Sequence, residues 1–191
     1  MPRLAVSLAL LAGLGSCFVS PTPALAQAPA REKAKAAEDP RIASLRRAAE
    51  ACGKAAIDND WEKLVDYTHP KAVNTVGGRK PFIFLTKMTM KRLKDDGIEF
   101  KSFKLGEMTK PIKEGENLFS IVSKDVVLTI PGGKLLATSY MVGISSDDGK
   151  TWTFVDGNGL EDPKARPRLL PKYPAELKFP EIPEPTTIDE K

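Results

Sequence analysis

The sequence predicts an α+β domain in which helices come first and an antiparallel sheet follows. Three observations support this class. Apolar residues recur at helical spacing in the first half of the chain, they alternate at strand spacing after residue 97, and the two patterns do not interleave. Helices that are segregated from a run of strands are typical of α+β folds. We therefore expect three N-terminal helices packed on a curved antiparallel sheet.

The bulk composition indicates one globular domain of ordinary size. The chain has 191 residues, of which 41% are hydrophobic and 28% are charged. After the terminal segments are set aside, roughly 130 residues remain to build a core. The formal net charge is +4, but along the chain the positive charges are interspersed with acids. We therefore expect no nucleic-acid partner.

Residues 1–26 have the pattern of a secretory signal peptide. Arg3 supplies a positive charge, an apolar run follows over 4–14, and Ala24-Leu25-Ala26 offers a small-x-small cleavage site. The apolar run is too short for a membrane span, which takes about 20 apolar residues. The sequence therefore predicts an exported protein, periplasmic or extracellular, whose first mature residue is Gln27.

A second interpretation of this segment stays open. Leu14-Gly15-Ser16-Cys17 resembles the bacterial lipobox, so a lipid anchor at Cys17 is the alternative to cleavage after Ala26. In either case Cys52 is the only free thiol, and no intramolecular disulfide is possible. Cys52 falls on the apolar stripe of a predicted helix, where we expect it to act as a small buried hydrophobic residue.

The first helix is predicted from Asp39 to about Asp58. It follows residues 27–38, a linker without large apolar side chains. Asp39 and Pro40 are residue types that cap a helix and occupy its first position. Apolar residues then recur at spacings of three and four, which makes one stripe for the core. The stripe consists of Ile42, Leu45, Ala49, Cys52 and Ala56.

Two further helices are predicted before residue 97. Asp60 caps the second helix, and His69-Pro70 ends it. Residues 72–76 are expected to form a short strand, and Pro81 opens the third helix. The predicted core stripe of that helix is Phe82, Leu85, Met88 or Thr89, and Leu93.

Four strands are predicted after Gly97, and they form a meander. Apolar residues alternate along residues 98–105, 118–130, 135–144 and 151–155, with turn residues between these segments. In the first two strands the alternation changes parity. A parity change predicts a β-bulge in each of these strands, and hence a bent sheet.

The last segment, residues 161–191, is predicted to be a Pro-rich extended tail of the domain at 39–160. Prolines recur from Pro163 to Pro185 at a density that excludes regular helix or sheet pairing. The tail would dock on the domain, over the open end of the fold, through Leu169, Leu170, Tyr173 and Phe179.

The most specific motif lies at residues 145–152, which fit Ser-x-Asp-x-Gly-x-Thr-Trp, the Asp-box of sialidase-type propellers. Asp147 is predicted to accept backbone N–H groups, Gly149 to take a positive φ and Trp152 to fold over the hairpin. A propeller needs about four to eight repeated blades. This chain has one box and a helical first half, so we assign the box to stabilisation of a hairpin.

The sequence offers few candidates for acid–base chemistry. His69 is the only histidine, with Asp66 and Tyr67 close by. A general base beside an acid is one interpretation, and a capping or loop histidine is the other, which we favour. Asp125 falls in mid-strand near a parity change, where it points either into a cavity or out from a bulge.

The remaining motifs are less specific. Residues 156–159, Asp-Gly-Asn-Gly, suit a tight turn, which we favour, or a polar loop at a pocket mouth. Residues 77–80, Gly-Gly-Arg-Lys, precede a helix and suit either a turn or an anion site. One histidine and no cysteine pair predict no metal site. Because there is no Gly-rich phosphate loop and no nucleophile elbow, we expect no cofactor.

Three helices, a short strand after the second and a four-stranded meander resemble the nuclear transport factor 2-like superfamily, which includes the polyketide-cyclase-like proteins. Residues 55–64, in which a polar turn and Trp61 lead into the second helix, are similar to the first turn of that superfamily. Residues 149–155 resemble its final strand, and the likeness covers 40–160. The resemblance implies a cone with an apolar pocket between helices and sheet.

Enzymes of this superfamily tend to place Asp, His or Tyr in the cone, and the candidates here are Tyr67, His69, Asp125 and Tyr140. None of them falls in a motif that matches. We therefore predict a non-catalytic binding or accessory protein of the cell envelope, with a small apolar molecule as its ligand. The alternative is a small isomerase, cyclase or dehydratase that uses His69 with a nearby acid. A homodimer through the sheet is a further expectation.

Overall fold

Six antiparallel strands form one sheet in the computed structural model, which describes residues 38–188. The helices before the sheet are α1 (Pro40–Ile57), α2 (Trp61–Tyr67), α3 (Pro70–Thr75) and α4 (Arg79–Asp95). The strands are β1 (Glu99–Met108), β2 (Ile112–Glu114), β3 (Asn117–Ile130), β4 (Gly133–Ser145), β5 (Thr153–Asp156) and β6 (Thr186–Ile188). Two one-turn helices, α5 (Asn158–Glu161) and α6 (Arg166–Leu169), lie between β5 and β6. The predicted α+β class with an antiparallel sheet is confirmed.

Some predictions concern residues outside the described range. The signal peptide at 1–26, the lipid anchor at Cys17 and nearly all of the linker at 27–38 stay predictions. Within residues 38–188, no helix combines the length and the apolar character that crossing a membrane takes.

The first two helices start at the predicted caps. Asp39 accepts a hydrogen bond from the backbone N–H of Arg41 at 2.9 Å, and Pro40 occupies the first helical position. Asp60 caps α2 in the same way, because its carboxylate accepts the backbone N–H of Lys63 at 3.1 Å. Local chemistry therefore determines where both helices begin.

Residues 72–75 belong to a helix and Val76 caps its end, so the predicted strand at 72–76 is wrong. Pro70 is the first residue of α3 and Val73 is its buried side chain, packed with Trp61 and Ile83. One helical turn buries this valine between α2 and α4, whereas a strand here would need a neighbouring strand to pair its backbone. As a result four helices, not three, precede the sheet.

The buried face of helix α4 overlaps the predicted one at Phe82 and Leu93, which are partly buried, but not at the two positions between them. Ile83 is its buried residue, with Phe82 and Met90 partly buried in the same cluster beside α2 and α3. Leu85 is exposed, and so are Met88 and Thr89, the two alternatives for the next position of the predicted stripe. The prediction was wrong because α4 carries apolar residues on both of its sides, so that spacing alone does not identify the inner one.

The central strands β3 and β4 pair from Leu118 and Ser145 at one end to Ile130 and Gly133 at the other, without a register shift. Strand β1 pairs with β3 through two register shifts, and the first falls between Phe100 and Ser102. The predicted bulge in the first strand is thereby confirmed. Strands β5 and β6 both pair with β4, and β2 pairs with β3.

One face of the sheet, here called the helix face, packs against α1. Leu45 and Ala49 of α1 have no solvent exposure and share a cluster with Leu118 and Val122 of β3. Trp152 completes this cluster. The apolar stripe that the sequence predicts for the first helix is therefore the one that covers the sheet.

The opposite face, here called the tail face, is covered by the C-terminal segment at residues 157–188. Phe119 and Ile121 of β3 are buried there with Leu170 and Leu177. Because successive strand residues point to opposite faces, β3 carries apolar residues of both parities. The parity change in this strand reflects two covered faces. The predicted bulge in β3 is wrong, since its pairing with β4 is continuous.

The C-terminal segment is more ordered than its prolines predict. It forms α5 and α6, and β6 pairs antiparallel with β4 over residues 134–136. Pro167 lies in the first turn of α6 and Pro185 directly precedes β6, positions at which proline removes no required hydrogen bond. The prediction that proline density excludes helix and sheet pairing is therefore wrong.

Candidate functional site

A cavity of about 360 Å³ lies between the N-terminal helices and the helix face of the sheet. Helices α1 to α4 and α6 and strands β1, β3, β4 and β5 all contribute side chains to its wall. Most of the wall is apolar, as shown by Ala56, Leu64, Phe82, Phe103, Met141 and Leu169. A pocket of this size and lining suits a small, mainly apolar ligand.

A glycine in mid-helix lets β1 approach α1 at this cavity. A Cβ atom on Gly53 would lie 2.2 Å from Cδ1 of the Phe103 ring. No side chain larger than hydrogen fits there without displacing the ring. Gly53 therefore sets the position of Phe103, and with it one wall of the cavity.

The wall of the cavity contains one ion pair, between Lys124 of β3 and Asp156 at the end of β5. The ammonium of Lys124 donates a hydrogen bond to the carboxylate of Asp156. The Lys124 side chain is 14% exposed and that of Asp156 is 50% exposed. An ammonium has three N–H donors. Asp156 takes one of them, which leaves Lys124 able to donate to a bound molecule.

Three further residues with polar side chains line the cavity, Cys52, Tyr67 and Thr68, and the Thr68 hydroxyl already donates to the carbonyl of Leu64 at 3.0 Å. Burial raises the pKa of the Cys52 thiol to about 11. The nearby charge of Lys124 lowers this pKa by a smaller amount, and that of Asp156 raises it. The thiol is therefore protonated at neutral pH and is a poor nucleophile. Cys52 contributes mainly apolar surface, as the sequence predicts, although it is only partly buried.

His69 lies at the junction of α2 and α3 and is not part of the cavity wall. Its Nδ1 is 3.0 Å from Oγ1 of Thr153, and its backbone N–H donates to the carbonyl of Phe154 at 2.8 Å. Burial lowers the pKa of His69, and the nearby charge of Lys71 lowers it further. These contacts fasten the helix junction to β5, which is what a capping or loop histidine does.

Three other candidate residues also lie away from the cavity. Asp66 is exposed on α2 and forms an ion pair with Arg79. Asp125 lies on the tail face of β3, where it accepts a hydrogen bond from the hydroxyl of Thr138 at 2.7 Å. Tyr140 is buried on the tail face. Of the five candidates from the sequence, Tyr67 is the one in the cavity wall.

Tyr140 belongs to an aromatic cluster that holds the C-terminal segment to the sheet. Its ring stacks on Phe179 with centroids 6.1 Å apart, and Tyr173 meets Phe179 edge-on at 5.2 Å. The guanidinium of Arg166 lies 5.0 Å from the Phe179 centroid. Burial raises the pKa of Tyr140, against the smaller effect of Arg166. The cluster is structural, and within the predicted docking set only Leu169 reaches the cavity.

Sequence reasoning missed Lys124 and favoured a plain turn for residues 156–159. A signal for Lys124 was present, because it interrupts an apolar strand at a position of the same parity as Leu118 and Val122. At residues 156–159 both interpretations hold. The Asp156 carboxylate accepts the backbone N–H of Asn158 at 3.0 Å, and the same residue lines the cavity.

The sequence also raised an anion site at residues 77–80. The guanidinium of Arg79 donates to the carboxylates of Asp66 and Glu62 and to the backbone carbonyl of Glu62. The carboxylates of Asp66 and Glu62 already neutralise the positive charge of Arg79, which argues against an anion site here. The segment therefore fastens α4 to α2.

The Asp-box stabilises the β4–β5 hairpin, as predicted. Asp147 accepts the backbone N–H groups of Lys150 and Thr151 at 3.1 and 2.9 Å, and the Thr151 hydroxyl at 2.6 Å. These bonds, those from Thr151 first, lower the pKa of Asp147 to about 2. Gly149 has φ +83°. Trp152 is 3% exposed, and its Nε1 donates to the carbonyl of Gly149 at 3.1 Å.

Among residues 38–188, no group of three or more His, Cys, Asp or Glu side chains is arranged to hold a metal ion. Comparison with known proteins adds no family to this geometry: no family model matches the chain, and no curated protein matches it.

Proposed function

We propose that this protein is a non-catalytic binding or accessory protein of the cell envelope. Its ligand would be a small, mainly apolar molecule with one anionic or hydrogen-bond-accepting group. The observation that carries the proposal is the cavity of about 360 Å³, whose apolar wall contains the single ion pair of Lys124 and Asp156.

The two parts of the wall favour the two parts of such a ligand. Contact between the apolar wall and an apolar part of the ligand favours binding by roughly 25 cal/mol per Å² of apolar surface removed from water. Lys124 is largely shielded from solvent, and a charge in that setting is stabilised by every acceptor that reaches it. A carboxylate or carbonyl oxygen of the ligand would accept a hydrogen bond from one of the Lys124 N–H groups that Asp156 does not use. Lys124 would thus determine the ligand's orientation.

The position of the titratable groups supports binding over catalysis. The alternative function needs His69 with a nearby acid, and His69 makes its contacts with β5 outside the cavity wall. Cys52 lies in the wall, but burial raises its pKa to about 11 and so disfavours the thiolate. The five candidate residues do not place an acid and a base together in the cavity, where both could exchange protons with one bound substrate.

We further propose that the domain is a nuclear transport factor 2-like cone and that the chain is exported. Support for the cone comes from the helices on one face of the sheet, the bulged strand β1 and the cavity between them. Support for export comes from the signal-like pattern of residues 1–26. The homodimer through the sheet stays a prediction.

Displacement of the fluorescent dye 1-anilinonaphthalene-8-sulfonate tests the cavity as the binding site. We expect the wild type to bind the dye and dodecanoate to displace it. Ala56→Trp places an indole in the cavity and should abolish binding, whereas the matched variant Ala175→Trp, at an exposed position, should bind normally. Normal dye binding by a folded Ala56→Trp chain would falsify this assignment of the site.

The role of Lys124 is tested with two ligands that differ in the polar group, dodecanoate and dodecanol. Lys124→Met should weaken dodecanoate binding by about tenfold to a hundredfold, as expected for the loss of one hydrogen bond to a charged group. Dodecanol binding should change much less. Lys113→Met, at an exposed position on β2, controls for the change in net charge. An equal effect on both ligands would contradict the proposed orientation.

A further inference from the structure

One long stretch of the chain departs from the even mixture of charges found elsewhere. No Asp or Glu occurs from Tyr67 to Lys94. The basic residues of the stretch are Lys71, Arg79, Lys80, Lys87, Lys91, Arg92 and Lys94. Arg79 and Lys91 form ion pairs. The other five are not within ion-pair distance of any carboxylate in the described part of the chain. Four of these five, all but Lys71, lie on α4 and make it the basic side of the domain.

The same helix exposes large apolar side chains on its outer face. Phe84, Leu85 and Met88 are 62%, 47% and 54% exposed. Their spacing places them on the side of α4 opposite to Ile83 and Met90, which pack against α2 and α3. Exposed apolar residues that are clustered in this way mark an interaction surface.

We propose that the outer face of α4 is a docking surface for an anionic lipid bilayer. The apolar side chains Phe84, Leu85 and Met88 would enter the boundary between headgroups and acyl chains. Lys80 and Lys87, beside them on the helix, would extend their ammonium groups to the lipid phosphates. This combination of Phe and Leu with flanking Lys is typical of helices that lie in the membrane interface.

Charge complementarity favours a lipid surface over a second copy of the chain. An isologous contact through α4 would bring together two helices that each carry six basic residues against one acid, Asp95, and like charges repel. Residues 1–37 are no better suited to cover the face, since they carry Arg3, Arg31, Lys33 and Lys35 against the single acid Glu32. An anionic bilayer satisfies both the charge and the exposed apolar area.

Composition also favours lipid over a protein or a nucleic acid. Lysine is depleted at protein–protein interfaces, whereas here it is the commonest residue type beside the apolar patch. A nucleic acid would account for the basic residues through its phosphates. It would leave Phe84, Leu85 and Met88 without an apolar partner. The proposal does not depend on what occupies the cavity.

Vesicle binding by the chain that begins at Gln27 tests the electrostatic part. Residues 37–191 form a compact unit with core clusters of its own, so this chain retains the described fold. It should co-sediment with phosphatidylcholine vesicles that contain phosphatidylglycerol, and bind vesicles of phosphatidylcholine alone much more weakly. Replacing two lysines, Lys80→Gln with Lys87→Gln, should weaken partitioning roughly thirtyfold.

A charge-matched control separates the surface of α4 from net charge. Lys110→Gln with Lys113→Gln removes the same charge from exposed positions around β2 and should cost less than about threefold. Equal losses for the two double variants would mean that net charge alone drives the binding. Such a result would overturn the proposal, as would concentration-dependent self-association of the wild type without vesicles, abolished by the α4 substitutions.

Insertion of the apolar side chains is tested by fluorescence quenching. A Phe84→Trp chain should be quenched by lipids brominated on their acyl chains, while Glu116→Trp, in the turn between β2 and β3, should not be. The native Trp61 and Trp152 are 9% and 3% exposed and therefore give a shielded background. Binding to the anionic vesicles without quenching of the Phe84→Trp chain would rule out the lipid interface and leave a purely ionic contact, as with a nucleic acid.

Discussion

The two faces of the sheet are covered in different ways, and the difference locates the functional site. On the tail face, Leu160, Leu170 and Leu177 fill the space against the strands with an aromatic cluster beside them. On the helix face, α1 packs closely at Leu45 but leaves a cavity toward Lys124. A filled face maintains the fold, whereas a face with a cavity and a shielded charge has room for a ligand.

The largest expected effect comes from uncovering the tail face. Deleting residues 169–191 removes Leu170, Tyr173, Leu177 and Phe179, whose burial contributes about 1.5–3 kcal/mol each when complete. The sum is comparable with the whole stability of a small domain. We therefore expect the truncated chain not to fold, as judged by circular dichroism. A cooperative melt near that of the full chain would show that the tail face needs no cover.

Removing one large side chain from the helix face should have the next largest effect. Trp152 is 3% exposed, packs with Leu45 and Ala49, and donates from Nε1 to Oγ of Ser44 at 3.0 Å. Trp152→Ala should lower the free energy of unfolding by about 3–5 kcal/mol, measured by urea denaturation. A loss below about 1 kcal/mol would mean that the tail face carries nearly all of the stability.

Features that depend on neighbouring residues are predicted well from the sequence, whereas features that depend on distant segments are not. The caps at Asp39 and Asp60 and the Asp-box at 145–152 depend on neighbours within a few residues, and the structure confirms them. The side of α4 that is buried, and the covering of β3 on both faces, depend on distant segments. Pattern alone assigned Leu85 to the core and missed the cover over Phe119.

The candidate site was less predictable than the fold for the same reason. Titratable residue types drew attention to His69, yet its neighbours in space, Thr153 and Phe154, give it a structural role. Lys124 and Asp156 are 32 positions apart in sequence and lie on two different strands, β3 and β5. No local motif connects such residues, so their meeting follows only from the packing of the sheet.

A smaller effect is expected where the cavity wall is closest to α1. Gly53→Ala brings a methyl group against the ring of Phe103 and forces the ring to move. Overpacking of this kind costs typically about 1–3 kcal/mol. We also expect altered dye affinity, because Phe103 lines the cavity. Gly159→Ala adds a methyl 3.5 Å from Leu169, an ordinary contact, and serves as the control for the loss of stability.

Removing only the end of the C-terminal segment should have a smaller effect still. Deletion of 181–191 removes β6, a three-residue edge strand, and the partly buried Ile182. The buried leucines of the tail face remain. We expect a loss of about 1–2 kcal/mol in the free energy of unfolding and no change in dye binding. Increased dye binding would show that this end, too, covers apolar surface.

The smallest expected effect concerns the turn of the Asp-box, where Asp147 is held ionised by its hydrogen bonds to Thr151, Ser145 and Lys150. Its pKa in the folded protein is about 2, below the ordinary value of an Asp carboxyl. The carboxylate therefore stabilises the fold fully above about pH 4, and this contribution is lost as the pH falls through the folded pKa near 2. Thermal melts between pH 5 and 2, values chosen to span roughly that window, should show a steeper loss for the wild type than for Asp147→Asn. Asp148→Asn, at the adjacent exposed turn position, should retain the wild-type slope. Equal slopes for the wild type and Asp147→Asn would mean that the carboxylate's hydrogen bonds do not stabilise the folded hairpin over the unfolded chain.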